Sequence, residues 1–191
     1  MKVNMSFKLN VLLALGLAAV SLAQAQTLKL STTQGDIRIV LDAEKAPKSV
    51  ANIVQYAKAG HYNGVIFHRV IENFMIQTGG FTPKMEQKPT KAPIPLESRN
   101  GLRNLRGSVA MARTGEPNSA TSQFFINTVD NAFLDAANSR DGNGYAVFGQ
   151  VVEGMDVVDK IRALPVSDFG MHQNLPTTPV IIIKALVEPK K

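Results

Sequence analysis

The most informative segment of the chain is FHRVIENFMIQTGGF, residues 67–81. Its apolar residues form two short runs on either side of the polar pair Glu72-Asn73, a pattern typical of two strands joined by a turn. The glycine pair Gly79-Gly80 ends the second run and favours a bend. The segment therefore predicts two short strands followed by a change of chain direction.

One permanently charged residue, Arg69, lies in strand alternation with apolar neighbours in this segment. The pattern leaves two interpretations of Arg69 open. It is either an edge-strand arginine whose head group extends into water, or a cation fixed beside an apolar pocket. In the second interpretation, Phe74 and Met75 supply walls of the pocket and Gln77 supplies an amide.

Four further motifs follow in the order GSVAMAR, SQFFIN, FLD and YAVFG, at residues 107–113, 122–127, 133–135 and 145–149. Together with residues 67–81, their order and spacing closely resemble the cyclophilins, a family of peptidyl-prolyl cis-trans isomerases, and in particular its secreted bacterial members. The resemblance runs from about Thr27 to about Val187. Several separated motifs in register are more specific than any one of them.

The first 25 residues have the features of a cleaved secretory signal. Lys2 and Lys8 form a basic start, residues 9–20 are apolar apart from one asparagine, and Ala23-Gln24-Ala25 fits the signal peptidase site. The apolar run is too short for a stable membrane anchor, which is the less favoured alternative. We expect a mature protein that starts near Gln26, forms one domain over residues 26–191 and resides in the periplasm.

Composition narrows the function further. The chain of 191 residues has no cysteine, which excludes disulfides, thiol catalysis and thiolate metal sites. Its net charge of +6 falls to +4 without Lys2 and Lys8, and no block of like charges or tryptophan is present. We therefore expect no nucleic-acid binding, and we also expect no cofactor, no metal and a monomeric state.

The rest of the chain is predicted to form short strands and two helices. Residues 28–31 and 36–41 alternate as a β-hairpin with one wet face, and residues 47–60 read as a helix that opens with Pro47 and stops at Gly60. Residues 83–97 carry four prolines and are predicted to be an irregular surface segment. A second helix is predicted over 154–164, and the apolar run 180–183 is predicted as a strand that closes the sheet.

These elements predict a mainly β fold, a closed antiparallel barrel capped by helices. The resemblance to the cyclophilins implies eight strands, a helix over each end of the barrel, an interior filled by side chains and a substrate groove on the outside. Apolar residues of the motifs are thus divided between core and groove, and periodicity does not separate the two groups.

Isomerisation of an X-Pro bond needs neither a nucleophile nor a metal. The barrier of roughly 18 to 20 kcal/mol arises from amide resonance, so a catalyst must stabilise a twisted amide whose nitrogen accepts a hydrogen bond. An apolar pocket for the proline ring, a donor for the prolyl nitrogen and amides for the flanking backbone suffice. The guanidinium of Arg69 suits the donor role because it stays charged and presents several N–H groups.

The resemblance to the cyclophilins assigns two sets of site residues. The implied catalytic residues are Arg69, Phe74, Gln77 and Phe125. The implied substrate-binding residues are Met75, Ala112, Arg113, Gln123, Phe133, Leu134 and Tyr145, with the backbone of 112–113 holding the substrate chain and Phe133 at the pocket rim. Without the resemblance, simple core packing is the preferred interpretation of the apolar members.

Three departures from many eukaryotic relatives stand out. Phe133 replaces a tryptophan, Tyr145 replaces a histidine beside the pocket, and the loop 113–117 is altered and one residue longer. The implied arginine, phenylalanine and glutamine positions are intact, so the resemblance implies activity on proline-containing peptides and unfolded exported proteins. It also implies weak binding of the immunosuppressant cyclosporin, because Phe133 lacks the indole N–H that donates to that ligand.

Two other classes of function fit the sequence less well. A non-catalytic peptide-binding chaperone would use the same groove, and only Arg69 argues against it, since a holding protein gains little from a cation over the prolyl nitrogen. A hydrolase is disfavoured because the three histidines lack metal-type spacing and no Gly-x-Ser-x-Gly motif is present. His68 alternates away from Arg69, which favours a place in the core or behind the site.

Overall fold

The computed structural model describes residues 26–189, and within them the protein is built mainly from antiparallel strands. The N-terminal segment 1–25, with its predicted signal and cleavage site, lies outside the described residues. The strands are β1 (Gln26–Thr32), β2 (Gly35–Leu41), β3 (Val65–Ile66), β4 (Arg69–Ile71), β5 (Met75–Thr78), β6 (Ser108–Met111), β7 (Phe124–Asn127), β8 (Val147–Glu153), β9 (Val166–Phe169), β10 (His172–Pro176) and β11 (Ile181–Pro189). The helices are α1 (Pro47–Lys58), α2 (Met155–Arg162) and a 3₁₀ turn at Ala132–Leu134.

Nine of these strands form one sheet in the order β3-β11-β1-β2-β8-β6-β7-β5-β4. Its two end strands, β3 and β4, are separated along the chain only by Phe67-His68. The backbone N–H of Phe67 donates to the carbonyl of Val180 at 3.0 Å, and that of His68 donates to the carbonyl of Gln77 at 3.1 Å. The sheet therefore curls until its two ends meet in residues 65–71.

This architecture confirms the predicted mainly β, antiparallel fold with two α-helices among the described residues, as a strongly curled sheet that forms a half-barrel. The closure and the strand count differ from the predicted closed barrel of eight strands, because the end strands β3 and β4 do not pair with each other. The run 65–71 is split into β3 and β4 because its first part pairs with β11 and its second part pairs with β5. Nine short strands thus occupy the places predicted for eight, and the two ends of the sheet are linked only through the divided run 65–71.

The predicted N-terminal hairpin is confirmed as β1 and β2, with Thr32 opposite Gly35 across the turn. Alternation sends the apolar residues of both strands inward, and Leu28, Leu30, Ile37 and Ile39 are fully buried. The predicted strand at 180–183 continues much further as β11, which pairs with β1 as well as β3. The first and last strands are therefore neighbours in the sheet.

Helix α1 begins with Pro47 and ends before Gly60, as predicted, and it buries one face, including Val50 and Ile53, against the sheet. Its start is capped from a distant segment, because Ala46 offers no side-chain acceptor. The carboxylate of Glu97 accepts the backbone N–H groups of Lys48 and Ser49 at 2.9 and 2.8 Å. A carboxylate in this position also suits the positive end of the helix dipole.

The proline-rich segment 83–97 is irregular, as predicted, and its β-type pairing is limited to isolated bridges such as that of Ile94 with Ala120. The second helix, α2, is shorter than the predicted range 154–164. The two-stranded sheet of β9 and β10 was not predicted from the sequence. No helix within residues 26–189 is long and apolar enough to cross a membrane.

Candidate active site

The sheet register places three of the four predicted catalytic side chains in one lateral row. Arg69 lies opposite Gln77 in β4 and β5, and Gln77 lies opposite Phe125 in β5 and β7. Phe125 in turn lies opposite Ala110 in β6. Because directly opposed residues share one face of a sheet, these four side chains project from the same face.

The neighbouring row confirms which face this is. Val70, Ile76, Ile126 and Val109 are likewise opposed to one another across β4, β5, β7 and β6. All four belong to the main hydrophobic core, so they point inward. Alternation therefore turns the row of Arg69 away from the core and toward the outside of the curled sheet.

A cavity of about 200 Å³ lies over this outward face. Nine of the eleven predicted site residues line it. They are Arg69, Phe74, Met75, Gln77, Ala112, Arg113, Phe125, Leu134 and Tyr145. The structure therefore gathers into one place residues that are distributed over more than 70 positions of the chain.

The floor of the cavity is apolar and tightly packed. Met75, Phe125 and Leu134 are almost completely buried and form a second hydrophobic cluster on the outer face of the sheet. The ring of Tyr145 contacts Phe125 edge to face with centroids 5.6 Å apart. Such a surface favours a compact apolar group and offers it few polar partners.

Phe133 lies outside the cavity lining, at its edge. Its side chain is exposed, and its ring stacks on Phe74 with centroids 5.5 Å apart. Phe74 is only partly buried and lines the cavity. The pair thus forms one wall that extends from the cavity into solvent.

Arg69 is the half-buried cation beside this apolar floor. Burial lowers the pKa of its guanidinium, and the nearby Tyr145 acts in the opposite direction. An arginine side chain nevertheless stays protonated at neutral pH. Within residues 26–189 the guanidinium of Arg69 forms no hydrogen bond or ion pair. Its N–H donors therefore remain available to a ligand.

Gln77 and Gln123 are joined side chain to side chain. The Nε2 of Gln77 donates to the Oε1 of Gln123 at 2.9 Å, which orients both amides beside Arg69. A side chain at Gly80 would come within 2.6 Å of the Gln123 amide. Packing therefore explains the glycine pair after β5, because a position without a side chain leaves room for this glutamine.

Arg113 lines the cavity, but its guanidinium contacts the protein's own loop. Its guanidinium donates to the carbonyls of Gly144 and Thr114, both at 2.9 Å, and pairs with Asp141 at 2.5 Å. The same group lies over the ring of Tyr145, 4.7 Å from its centroid. It also holds the pKa of the Asp141 carboxyl far below its usual range. The side chain thus fixes the loop that carries Tyr145.

A buried chain of asparagines supports the opposite wall, and sequence reasoning missed it. Asn131 donates to the carbonyl of Phe74 at 2.8 Å and to the side chain of Asn127 at 2.7 Å. Asn127 donates to Asn104 at 3.3 Å and to Ser108 at 2.9 Å. Buried polar groups need such partners, but no local pattern indicates which asparagines will meet.

A second cavity, of about 360 Å³, lies on the other side of Arg69. It was not predicted, and it is lined by His68, Arg69, Phe81, Gln123, Met171, His172 and Gln173. Gln123 therefore belongs to this cavity and reaches the first one through Gln77. The turn Gly170-Met171 between two short runs is the sequence signal that could have indicated this hairpin.

His68 lies behind the site, as its alternation predicted. It is buried, and its ring contacts Phe81 with centroids 4.8 Å apart. Burial lowers the pKa of His68 to about 4, and the nearby His172 adds to this effect. Within residues 26–189, no cluster of three or more acidic or histidine side chains is arranged to hold a metal ion.

Comparison with known proteins gives a consistent result. The sequence profile of the family described as "Cyclophilin type peptidyl-prolyl cis-trans isomerase/CLD" matches residues 27–187. A protein of Acinetobacter baylyi named "Peptidyl-prolyl cis-trans isomerase" is 55% identical over 91% of this chain and 92% of its own length. "Peptidyl-prolyl cis-trans isomerase A" of Dickeya dadantii is 51% identical over 94% of this chain and 96% of its own length.

The solved structures agree on the fold. A cyclophilin type peptidyl-prolyl cis-trans isomerase of Cryptosporidium parvum, crystallised in the presence of the dipeptide Ala-Pro, superposes with a TM-score of 0.71. It is 23% identical, and the match covers 86% of this chain and 99% of that one. This likeness supports the curled antiparallel sheet with its two helices.

Burial of His68 predicts a pH-dependent stability. The histidine is neutral in the fold and has an ordinary pKa near 6.5 when unfolded, so its contribution is complete above pH 6.5 and is lost as the pH falls toward 4. We expect the free energy of unfolding to drop by about 2 to 3 kcal/mol over this range. Urea unfolding at several pH values measures it.

The matched variants are His68→Gln, which should flatten this dependence, and His172→Gln, which should keep most of it. Burial also lowers the pKa of His61, which adds a contribution of the same sign to every variant. An unchanged slope in His68→Gln would contradict the assignment.

Proposed function

Because this chain belongs to the cyclophilin-type peptidyl-prolyl cis-trans isomerases, we propose that its reaction takes place in the 200 Å³ cavity bordered by Arg69. The chain is an enzyme that accelerates cis-trans interconversion of X-Pro peptide bonds. One observation carries the proposed location. A half-buried guanidinium without a protein partner among the described residues lies beside an apolar floor, in a single row with Gln77 and Phe125.

The floor of the cavity grips the proline ring. Its volume corresponds to roughly seven liquid water molecules, which suits a five-membered ring. Phe125, Met75 and Leu134 are buried and already packed, so little side-chain freedom is lost when a ligand enters. The ring is held while the rest of the peptide turns about the X-Pro bond.

Arg69 donates to the prolyl nitrogen. In the planar amide this nitrogen is conjugated with the carbonyl, and it becomes an acceptor only when the bond twists. A donor in this position therefore interacts more strongly with the transition state than with either planar isomer, which is the condition for a lower barrier. The joined amides of Gln77 and Gln123 hold the flanking backbone beside it.

The alternative function is a peptide-binding chaperone without catalysis. It would use the same apolar floor and the same exposed wall of Phe74 and Phe133. Arg69 distinguishes the two functions, because a holding protein has no use for an interaction that strengthens only in a twisted amide.

The partners that we propose for the enzyme are proline-containing peptides and unfolded exported proteins.

Loss of the guanidinium tests the mechanism. A charge-assisted hydrogen bond in a partly dry groove is worth roughly 1.5 to 3 kcal/mol, so Arg69→Ala should lower kcat/KM by about 10 to 150-fold with peptide affinity nearly unchanged. Arg69→Lys should restore only part of the rate, because an ammonium lacks the planar fork. Protease-coupled isomerisation with a peptide Kd from NMR titration measures both quantities.

Phe125→Ala is the matched comparison for Arg69→Ala. Removal of the Phe125 ring weakens the contacts with the proline in both the ground state and the transition state. It should therefore weaken peptide binding as well as turnover. Full activity in Arg69→Ala, or a loss of activity that only follows lost binding, would contradict the mechanism and favour the chaperone.

Phe133 bears on inhibition by cyclosporin. Its exposed ring carries no N–H donor, so we expect weak inhibition, and Phe133→Trp should tighten it while turnover stays within a few-fold. Inhibition constants of the two proteins, measured in the same assay, decide the point. Tight inhibition of the unmodified protein would refute this role of Phe133.

The N-terminal sequence motivates a proposal of export. Cleavage after Ala25 would release a mature protein that begins near Gln26, the first residue of β1, in the periplasm. N-terminal sequencing of the protein recovered from that compartment should begin at this position. Recovery of Met1 on the exported form would overturn the proposal.

A further inference from the structure

We propose that the hairpin β9-β10 forms an accessory subsite that receives an aromatic side chain of the substrate, one or two residues away from the proline. This inference rests on the proposed function, because the subsite adjoins the proposed catalytic cavity. It concerns the second cavity, of about 360 Å³, which lies between the hairpin tip and Arg69.

The two cavities are adjacent. Arg69 lines both of them, and the Gln77-Gln123 hydrogen bond of 2.9 Å joins an amide from one to an amide from the other. An extended peptide advances about 3.3 to 3.6 Å per residue. Because Arg69 borders both cavities, we expect a chain whose proline lies over Phe125 to reach the second cavity within one or two residues.

The hairpin holds its tip in a defined position. Phe169 pairs with His172 across the two-residue turn Gly170-Met171, and Gly170 has a φ of 60°. A glycine with positive φ at the first turn position is typical of tight hairpins. His172 packs against Phe81 with ring centroids 4.9 Å apart. These contacts anchor the hairpin to the segment that follows the glycine pair.

The tip itself presents an apolar side chain to solvent. Met171 is 96% exposed, although it borders the second cavity. The unbranched thioether of methionine adapts to different partners and favours the edges of aromatic rings, so a methionine at this edge of the cavity suits an aromatic guest.

The chemistry of the remaining walls favours an aromatic guest. Phe81 lies between the rings of His68 and His172, with centroid distances of 4.8 and 4.9 Å. Edge-to-face packing with such rings stabilises an added aromatic ring. Among the described residues no acidic side chain lines this cavity, and the Arg69 cation borders it, so a basic side chain would find no ion-pair partner there.

The test compares isomerisation of peptides that differ in one residue. An alanine background around the proline receives a single phenylalanine one or two positions before the proline, or one or two positions after it. In the unmodified protein, one of these positions should raise kcat/KM by about five- to tenfold over the all-alanine peptide. In Met171→Ala the gain should shrink to less than about twofold, while Met171→Leu should keep most of it.

Two controls separate this inference from its premise. The all-alanine Pro peptide should be turned over equally by the unmodified protein and by Met171→Ala, so the proposed active site is tested independently of the hairpin. Phe169→Ala changes an exposed hairpin residue that does not line the cavity and should keep the phenylalanine preference. NMR of the Met171 methyl group should report a shift only with the preferred peptide.

Three outcomes would overturn the subsite. They are the absence of a phenylalanine preference at every position, a preference that survives unchanged in Met171→Ala, and an equal loss of preference in Phe169→Ala. If the all-alanine peptide is not isomerised by the unmodified protein, the failure lies with the proposed function instead.

Discussion

The divided strand at residues 65–71 is the constraint on which the rest of the structure depends. Its first part pairs with β11 and its second part with β5, so one short run must satisfy the two ends of the sheet at once. Arg69 begins the second part. The point at which the sheet meets itself is therefore also the point at which a cation borders both cavities.

The surroundings of the first cavity bear on the proposed preference for a twisted peptide bond. Electrostatic stabilisation works only if the donor and the walls are already in place when the reaction occurs. The asparagine chain fixes the wall of Phe74 from behind, and Arg113 fixes the loop of Tyr145. Rigidity at the site is thus supplied by buried polar contacts, while the second cavity is bordered by an exposed hairpin tip.

Local patterns in the sequence were sufficient for part of this structure. Alternation and turn residues predicted the hairpin of β1 and β2, and Pro47 with its apolar stripe predicted α1. The family resemblance was needed to separate groove residues such as Phe125 from core residues such as Ile126, because both are buried in a sheet covered on both faces. Local sequence patterns did not predict contacts between distant segments. The cap that Glu97 provides for α1 joins residues 48 positions apart, and the asparagine chain spans several strands.

The pairing of the first strand with the last has a consequence for how the chain acquires its structure. β1 lies between β2 and β11, and its register with β11 runs from Gln26 opposite Pro189 to Thr32 opposite Ile182. A chain that emerges from its N-terminus forward can form the hairpin of β1 and β2 early, but the outer edge of β1 stays unpaired until almost the last residue has been delivered. Closing so long a loop slows folding. A polypeptide of this topology therefore completes its sheet only after almost the whole chain has been delivered.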